Sequence, residues 1–180
     1  MNELQEATSE ETSAERLLEL ANSGSEEVRE RLAWNDNCPP AALVLLAAHP
    51  DDAVRELVVR REDCPPDVLL RLASDKNKFN QELVANHESC PPEALIMLST
   101  SEHWWIRRDV AEHPNCPAHV LAGFLLDQTR DVRLAAARSP NLDPADLERV
   151  ILAVDEDVRQ AIVARDDVAE HVKVAAALAL

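Results

Sequence analysis

The chain has 180 residues, of which 34 are acidic and 18 are basic, so its formal net charge at pH 7 is −16. This balance argues against binding to nucleic acid or to an anionic membrane, because both need lysine and arginine to neutralise phosphate groups. The longest apolar run is shorter than 18 residues, which excludes a membrane-spanning helix. The acidity maintains solubility, or alternatively provides docking sites for a basic partner.

The first eleven residues precede any repeating pattern and are rich in glutamate. We expect residues 1–11 to form a disordered acidic tail and residues 12–180 to form a single helical-repeat domain. The opening segment, Met1-Asn-Glu-Leu-Gln-Glu, lacks the basic and then hydrophobic stretches of a signal peptide. We therefore expect a cytoplasmic protein.

A 26-residue period organises the chain from Thr12 onwards. Cysteine occupies four positions that are 26 residues apart, and the same step continues to Leu142 and Val168. The cysteines are Cys38, Cys64, Cys90 and Cys116. A constant period of this length is typical of stacked units that bury their apolar faces only against one another.

Two apolar stripes recur in each repeat and predict two helices. The first stripe pairs a leucine with an apolar residue three positions later, as in Leu43 and Leu46. The second pairs apolar residues four positions apart, as in Val54 and Val58, and predicts a second, shorter helix. Polar turn-forming residues separate the stripes, and no segment shows the period of two expected for a strand. We predict an all-α fold of about six and a half repeats.

The start of each first helix is marked by a Cys-Pro-Pro sequence or a remnant of it. The second proline, such as Pro40, suits the first helical position, where its missing N–H leaves no hydrogen bond unmade. Cys38 then lies just before the helix cap and Leu43 one turn inside it, which is the arrangement of a hydrophobic staple. The same spacing recurs in the following repeats.

The repeat resembles that of the leucine-rich repeat variant family. Its clearest copy reads Val54-Arg-Glu-Leu-Val-Val-Arg-Arg-Glu-Asp-Cys-Pro-Pro-Asp-Val-Leu-Leu-Arg-Leu-Ala-Ser-Asp, and the resemblance extends from residue 12 to about residue 172. It implies a right-handed superhelical solenoid, related to HEAT-type arrays, in which α-helices alternate with short 3₁₀-helices. It also implies a function in binding. Some family members hold an iron–sulfur cluster on cysteines ahead of the repeats, whereas the first cysteine here is Cys38, inside the array.

The cysteines are predicted to be buried structural thiols, without a metal or any other cofactor. Packed helices lie about 8–10 Å apart, whereas a disulfide needs Cα atoms within about 7 Å. A zinc site bridging two repeats is the alternative, because His87 and His113 each precede a cysteine by three residues. There is no glycine-rich phosphate loop, His-Glu-x-x-His motif or nucleophile elbow. We therefore predict no catalytic residues.

Arginine occupies one column of the repeat alignment, which Gln81 interrupts. The column contains Arg29, Arg55, Arg107, Arg133 and Arg159. One interpretation is a structural ladder in which each arginine pairs with an acid of its own or the next repeat. The other is a groove of guanidinium groups that binds carboxylates of a partner, with Arg55, Arg107 and Arg133 as candidate contacts.

Three large aromatic residues occupy two neighbouring columns that are otherwise mostly polar. They are Phe79, Trp104 and Trp105. Local packing under a linker is one explanation, and an exposed binding hot spot is the other, since tryptophan is enriched at the centres of interfaces.

These features predict a non-catalytic, cytoplasmic scaffold that binds a protein partner. Two alternatives stay open, namely a nucleic-acid-binding HEAT-like array and an accessory or lyase-type helical-repeat protein. The first would need a basic groove, and the second a ligand cavity.

Overall fold

A computed structural model describes residues 2–151 and 153–178, and every regular element within these ranges is an α-helix. In chain order the helices are α1 (Glu3–Thr8), α2 (Ala14–Leu20), α3 (Glu26–Ala33), α4 (Pro40–Leu46), α5 (Asp52–Val59), α6 (Pro66–Leu72), α7 (Lys78–Ala85), α8 (Pro92–Leu98), α9 (Trp104–Glu112), α10 (Ala118–Phe124), α11 (Arg130–Arg138), α12 (Pro144–Val150), α13 (Glu156–Val163) and α14 (Glu170–Leu178). The all-α prediction is confirmed. No helix in the described ranges has the length and apolar character needed to cross a bilayer.

The chain divides into two compact units, Met1–Ala94 and Leu95–Leu180, whereas the sequence predicted one domain over residues 12–180. Each repeat contributes a first and a second helix. The first helices are α2, α4, α6, α8, α10 and α12, and the second helices are α3, α5, α7, α9, α11 and α13. Second helices pack on their neighbours, α3 and α7 on α5 in one unit, and α9 and α13 on α11 in the other.

The first helices begin where the prolines predict. Helices α4, α6 and α12 carry proline at their first position, after an extended residue that the following proline keeps out of the helical region. Their apolar stripe faces the core. The leucine column is at most 1% exposed throughout and consists of Leu17, Leu43, Leu69, Leu95, Leu121 and Leu147.

The second helices have eight or nine residues and the first helices seven, so the prediction of a shorter second helix is wrong. The apolar stripe underestimated their length because it begins at the third residue of each second helix, as at Val54 of α5, and the residues before it are polar in most repeats. Side chains of Asp51 and Asn77 accept hydrogen bonds from backbone N–H groups in the first turn and cap α5 and α7. Both helix types are α-helical, and the 3₁₀ form is absent from the described residues.

Residues 3–8, assigned to a disordered tail from the sequence, form helix α1 in the structure. The helix has a capping box in which Asn2 and Gln5 exchange side-chain and backbone hydrogen bonds. Ala7 is fully buried, and α1 packs on α3. This segment lies one 26-residue period before α3, so it corresponds to a second helix. It was not predicted as one because Asn2 and Glu6 occupy the positions that the apolar residues Val28 and Leu32 occupy in the next repeat.

Candidate functional site

The side chains of the arginine column connect each second helix to the loop before it by hydrogen bonds. In five of the six repeats its side chain donates a hydrogen bond to the backbone carbonyl six residues earlier, and Arg159 reaches the carbonyl five residues earlier. The acceptors, in order, belong to Ser23, His49, Asp75, Ser101, Asp127 and Val154. Gln81 makes the same bond to Asp75 that an arginine would make. The glutamine therefore preserves the structural role of the column.

Two of these arginines also form buried ion pairs with the next repeat. Arg55 donates from Nε and Nη2 to both carboxylate oxygens of Asp75, at 2.5 and 2.8 Å. Arg107 binds both oxygens of Asp127 in the same way, at 2.7 and 2.9 Å. Such bidentate pairs are the strongest geometry for arginine and carboxylate. Arg55 and Arg107 are 5% and 6% exposed, so the structure directs both candidate contacts inward.

The pKa values of the paired acids reflect this geometry. Burial alone would raise the pKa of Asp75, but hydrogen bonds from Arg55, the Asn77 N–H and Asn80 hold it below its ordinary value. The pKa of Asp127 is lowered in the same way, because Arg107 and the Thr129 N–H outweigh burial. Both acids are therefore held in the charged form.

The third candidate of the column, Arg133, is partly exposed. It donates to the carbonyl of Asp127 at 2.7 Å and forms an ion pair with Asp155 of the next repeat. Its side chain retains 20% exposure, compared with 6% for Arg55. Arg133 is thus the most accessible of the three, although its donors are engaged within the chain.

A second polar ladder was missed in the sequence. Its side chains donate hydrogen bonds to the backbone carbonyls 26 and 28 residues before them. These carbonyls lie at or just after the end of the second helix of the preceding repeat. Arg61 donates to the carbonyls of Ala33 and Asn35, at 2.7 and 2.9 Å. Equivalent bonds are made by Asn35 to Ala7 and Ser9, and by Arg165 to Ala137 and Ser139. The available signal was a polar column three residues after the end of each second apolar stripe, as Arg61 follows Val58.

His87 belongs to this ladder, which accounts for its position without zinc. Its Nδ1 accepts a hydrogen bond from the Ser89 N–H, so the ring proton lies on Nε2, which donates to the Arg61 carbonyl at 2.8 Å. His113 likewise accepts from the Asn115 N–H. No cluster of side chains suited to a metal ion occurs in residues 2–151 and 153–178.

All four cysteines are buried. Burial raises the pKa of Cys38 to about 11 and that of Cys64, Cys90 and Cys116 to about 12. A thiol with so high a pKa stays protonated at neutral pH and is a poor nucleophile and metal ligand. The same column holds Leu142 and Val168, which are also buried.

Phe79, Trp104 and Trp105 are the aromatic residues proposed from the sequence as a binding hot spot. Two of the three are exposed, and all three lie in the first turn of a second helix. In the first unit, Phe79 is 59% exposed, with the Lys78 ammonium group 5.5 Å from its ring centroid. In the second unit, Trp104 is 38% exposed and Trp105 is half-buried.

The tryptophan pair is part of a small stacked cluster. Trp105 stacks on His103 with ring centroids 4.6 Å apart, and Trp104 meets Trp105 edge-on at 6.2 Å. The Arg108 guanidinium covers one face of Trp104, at 5.6 Å from the ring centroid. Packing within the chain therefore accounts for Trp105 more completely than for Trp104.

Open grooves separate neighbouring second helices within each unit. A cavity of about 350 Å³ lies between α3 and α5, and cavities of about 390 and 440 Å³ flank α11. Trp34, which follows α3 and lines the first groove, is 65% exposed. Trp34 is not among the residues predicted from the sequence, although its column is polar in most repeats.

Comparisons with known proteins agree with this architecture. Residues 52–77 match the family model described as leucine rich repeat variant. A solved structure, "a leucine-rich repeat variant with a novel repetitive protein structural motif", is 25% identical, with a TM-score of 0.60 over 93% of this chain and 72% of that chain. The predicted resemblance and helical-repeat fold are confirmed.

Other comparisons carry less information. A crystal structure of computationally designed armadillo repeat proteins for modular peptide recognition aligns with 92% of this chain and 62% of that chain, at 17% identity. Its TM-score of 0.16 is too low to support an argument about this protein. No protein of curated function matches the sequence.

Proposed function

We propose that this protein, with repeats like those of the leucine-rich repeat variant family, is a non-catalytic scaffold that binds protein partners through its second helices. One observation carries the proposal. The exposed tryptophan and phenylalanine side chains of the described residues, Trp34, Phe79 and Trp104, all lie on or directly after second helices. Trp34 also lines a groove between two second helices, α3 and α5, and similar grooves lie between α9 and α11 and between α11 and α13.

The fold offers no reason for large aromatic rings at these positions. Their columns are mostly polar in the other repeats, and those repeats form the same helices with Asp52, Arg130 or Glu156 in the place of Trp104. Tryptophan is a frequent centre of protein interfaces because it buries a large area at little cost in side-chain entropy. The rings therefore support recognition better than folding.

Charge supports a protein partner rather than nucleic acid. Arg108 pairs with Asp109, and Arg130 with Asp157, so both guanidinium groups are neutralised by acids of the chain. A phosphate backbone would have to displace those acids and would meet a chain with a net charge of −16. Buried, protonated cysteines suit a reducing cytoplasm, where we propose that the protein acts.

The proposal is tested by capture from a native lysate with three immobilised proteins. These are the natural chain, Trp104→Ala, and Leu45→Ala, a control that removes an apolar side chain of similar exposure (39%) from the first helix α4. We expect at least one protein to be retained by the natural chain and the control but lost from Trp104→Ala. Equal retention by all three would contradict a role for the second helices of the second unit.

A fluorescence polarisation titration with duplex DNA tests the nucleic-acid alternative. At about 0.15 M salt we expect no binding in the micromolar range, because even non-specific DNA binding requires clustered unpaired cations. Binding that weakens steeply with added salt would overturn this expectation.

A further inference from the structure

We propose that the groove between α3 and α5 binds a lysine or arginine side chain of a protein partner. The groove is lined by Glu30, Arg31, Trp34, Ala53, Glu56 and Leu57. This inference rests on the proposed function and adds the chemistry of the ligand and a site in the first unit.

Trp34 provides an uncovered aromatic face for a cation. At 65% it is the most exposed tryptophan or phenylalanine of the described residues. Its backbone N–H bonds to the Glu30 carbonyl at 3.2 Å, which places Glu30 one helical turn away on the same side of α3. Trp104 differs, because Arg108 of the same chain already covers one of its faces. A partner's cation over Trp34 would occupy the equivalent place.

The two sides of the groove match the two parts of a long cationic side chain. Ala53 and Leu57, one turn apart on α5, supply an apolar wall for the methylene groups. Glu30 supplies a carboxylate that has no ion pair within residues 2–151 and 153–178, whereas Glu56 is bonded to Arg60. A charged head group can therefore contact Glu30 and Trp34 together.

The net negative charge of the first unit favours a cationic ligand, and one basic residue in the groove limits that ligand to a single cation. Residues 1–94 contain 20 acidic and nine basic side chains, so the field around the groove attracts cations. Arg31 lines the same groove, and its charge disfavours a second cation beside the first. We therefore expect one lysine or arginine flanked by apolar residues rather than a continuous basic run. The volume of about 350 Å³ lies at the small end of ligand pockets.

The test is a selection of displayed random 12-residue peptides on the full chain at about 0.15 M NaCl. Recovered peptides are synthesised with a fluorescent label, and their dissociation constants are measured by anisotropy. The variants are Trp34→Ala and Glu30→Gln in the groove, Glu62→Gln as an exposed acid outside it, and Trp104→Ala in the second unit. Circular dichroism melting checks that each variant is folded.

We expect recovered peptides to share a lysine or arginine next to apolar residues. Trp34→Ala should weaken binding at least about tenfold, as for an interface hot spot. Glu30→Gln should weaken it about threefold, the range of an exposed charge pair, and Glu62→Gln less than twofold. Replacing the peptide lysine with norleucine should weaken binding as much as Trp34→Ala.

Three outcomes would overturn the inference. Peptides that share no cation would contradict its chemistry. Peptides that lose affinity for Trp104→Ala but not for Trp34→Ala would refute the groove and leave the proposed function intact. Failure to recover any specific peptide would count against both proposals.

Discussion

Replacing Arg107 with alanine separates a structural role of the arginine column from a role in recognition. The side chain makes three hydrogen bonds of 2.7–2.9 Å, two to Asp127 and one to the Ser101 carbonyl. The side chains of Arg107 and Asp127 are 7% and 10% exposed. Truncation would leave the Asp127 carboxylate largely out of water, with the Thr129 N–H still bonded to it at 2.8 Å.

We expect Arg107→Ala to lower the free energy of unfolding by about 3 kcal/mol. Removing one partner of a buried ion pair costs about 3–5 kcal/mol, and the remaining exposure of both groups places this site at the lower end. Adding Asp127→Asn to Arg107→Ala should recover part of the loss, because a neutral amide is less costly to bury than a carboxylate.

Urea unfolding followed by far-UV circular dichroism measures this change. The matched control is Arg130→Ala, which removes an arginine whose ion pair with Asp157 is exposed on both sides, and no shift of the midpoint is expected. An unchanged midpoint for Arg107→Ala, together with loss of partner binding, would refute the structural interpretation and assign the column to recognition.

Three further results are expected. The pKa values of Asp75 and Asp127 are lower in the folded state than the unperturbed value of 3.8. The contribution of these two acids to stability is therefore complete above pH 3.8 and is lost as the pH falls through their folded-state pKa values. A urea unfolding midpoint that does not fall in acid would contradict this. Cys64 should react slowly with a thiol reagent at pH 8 until the chain is unfolded, because its pKa is raised to about 12, and Cys64→Val should unfold at nearly the same denaturant concentration. Arg61→Ala should lose about 2 kcal/mol of stability through its bonds to the preceding repeat, whereas the exposed neighbour Arg60→Ala should lose little; equal losses would argue against the ladder.

The helices and the core could be predicted because each repeat presents the same local signals. The Cys-Pro-Pro segments mark first-helix starts independently of tertiary contacts, as Pro40 and Pro66 show. Apolar columns such as that of Leu43 have no stable position except the interior. Helix α1 was not predicted because it is held by one buried residue, Ala7, and by a hydrogen bond from the Asn35 amide to the Ala7 carbonyl, and neither contact leaves an apolar period in the sequence.

The site was harder to predict because its signals depend on contacts between repeats. The sequence shows the arginine column but not its acceptors, which are backbone carbonyls and acids 20 or 22 residues further along, as with Asp75 and Asp155. Trp34 also interrupts a column that holds Arg60 and Glu112, but no aromatic residue beside it in the repeat alignment indicates a cluster. Its importance appears only when the groove beside α5 is known.

The central claim is that the aromatic residues of the second helices serve binding rather than folding. Its most direct test is to measure, for Trp104→Ala, both the affinity for a captured partner and the melting temperature. We predict an affinity loss of about 2 kcal/mol or more with an almost unchanged melting temperature, because the ring is 38% exposed and its column is polar elsewhere. A lowered melting temperature with unchanged affinity would contradict the claim and show that the ring belongs to the core.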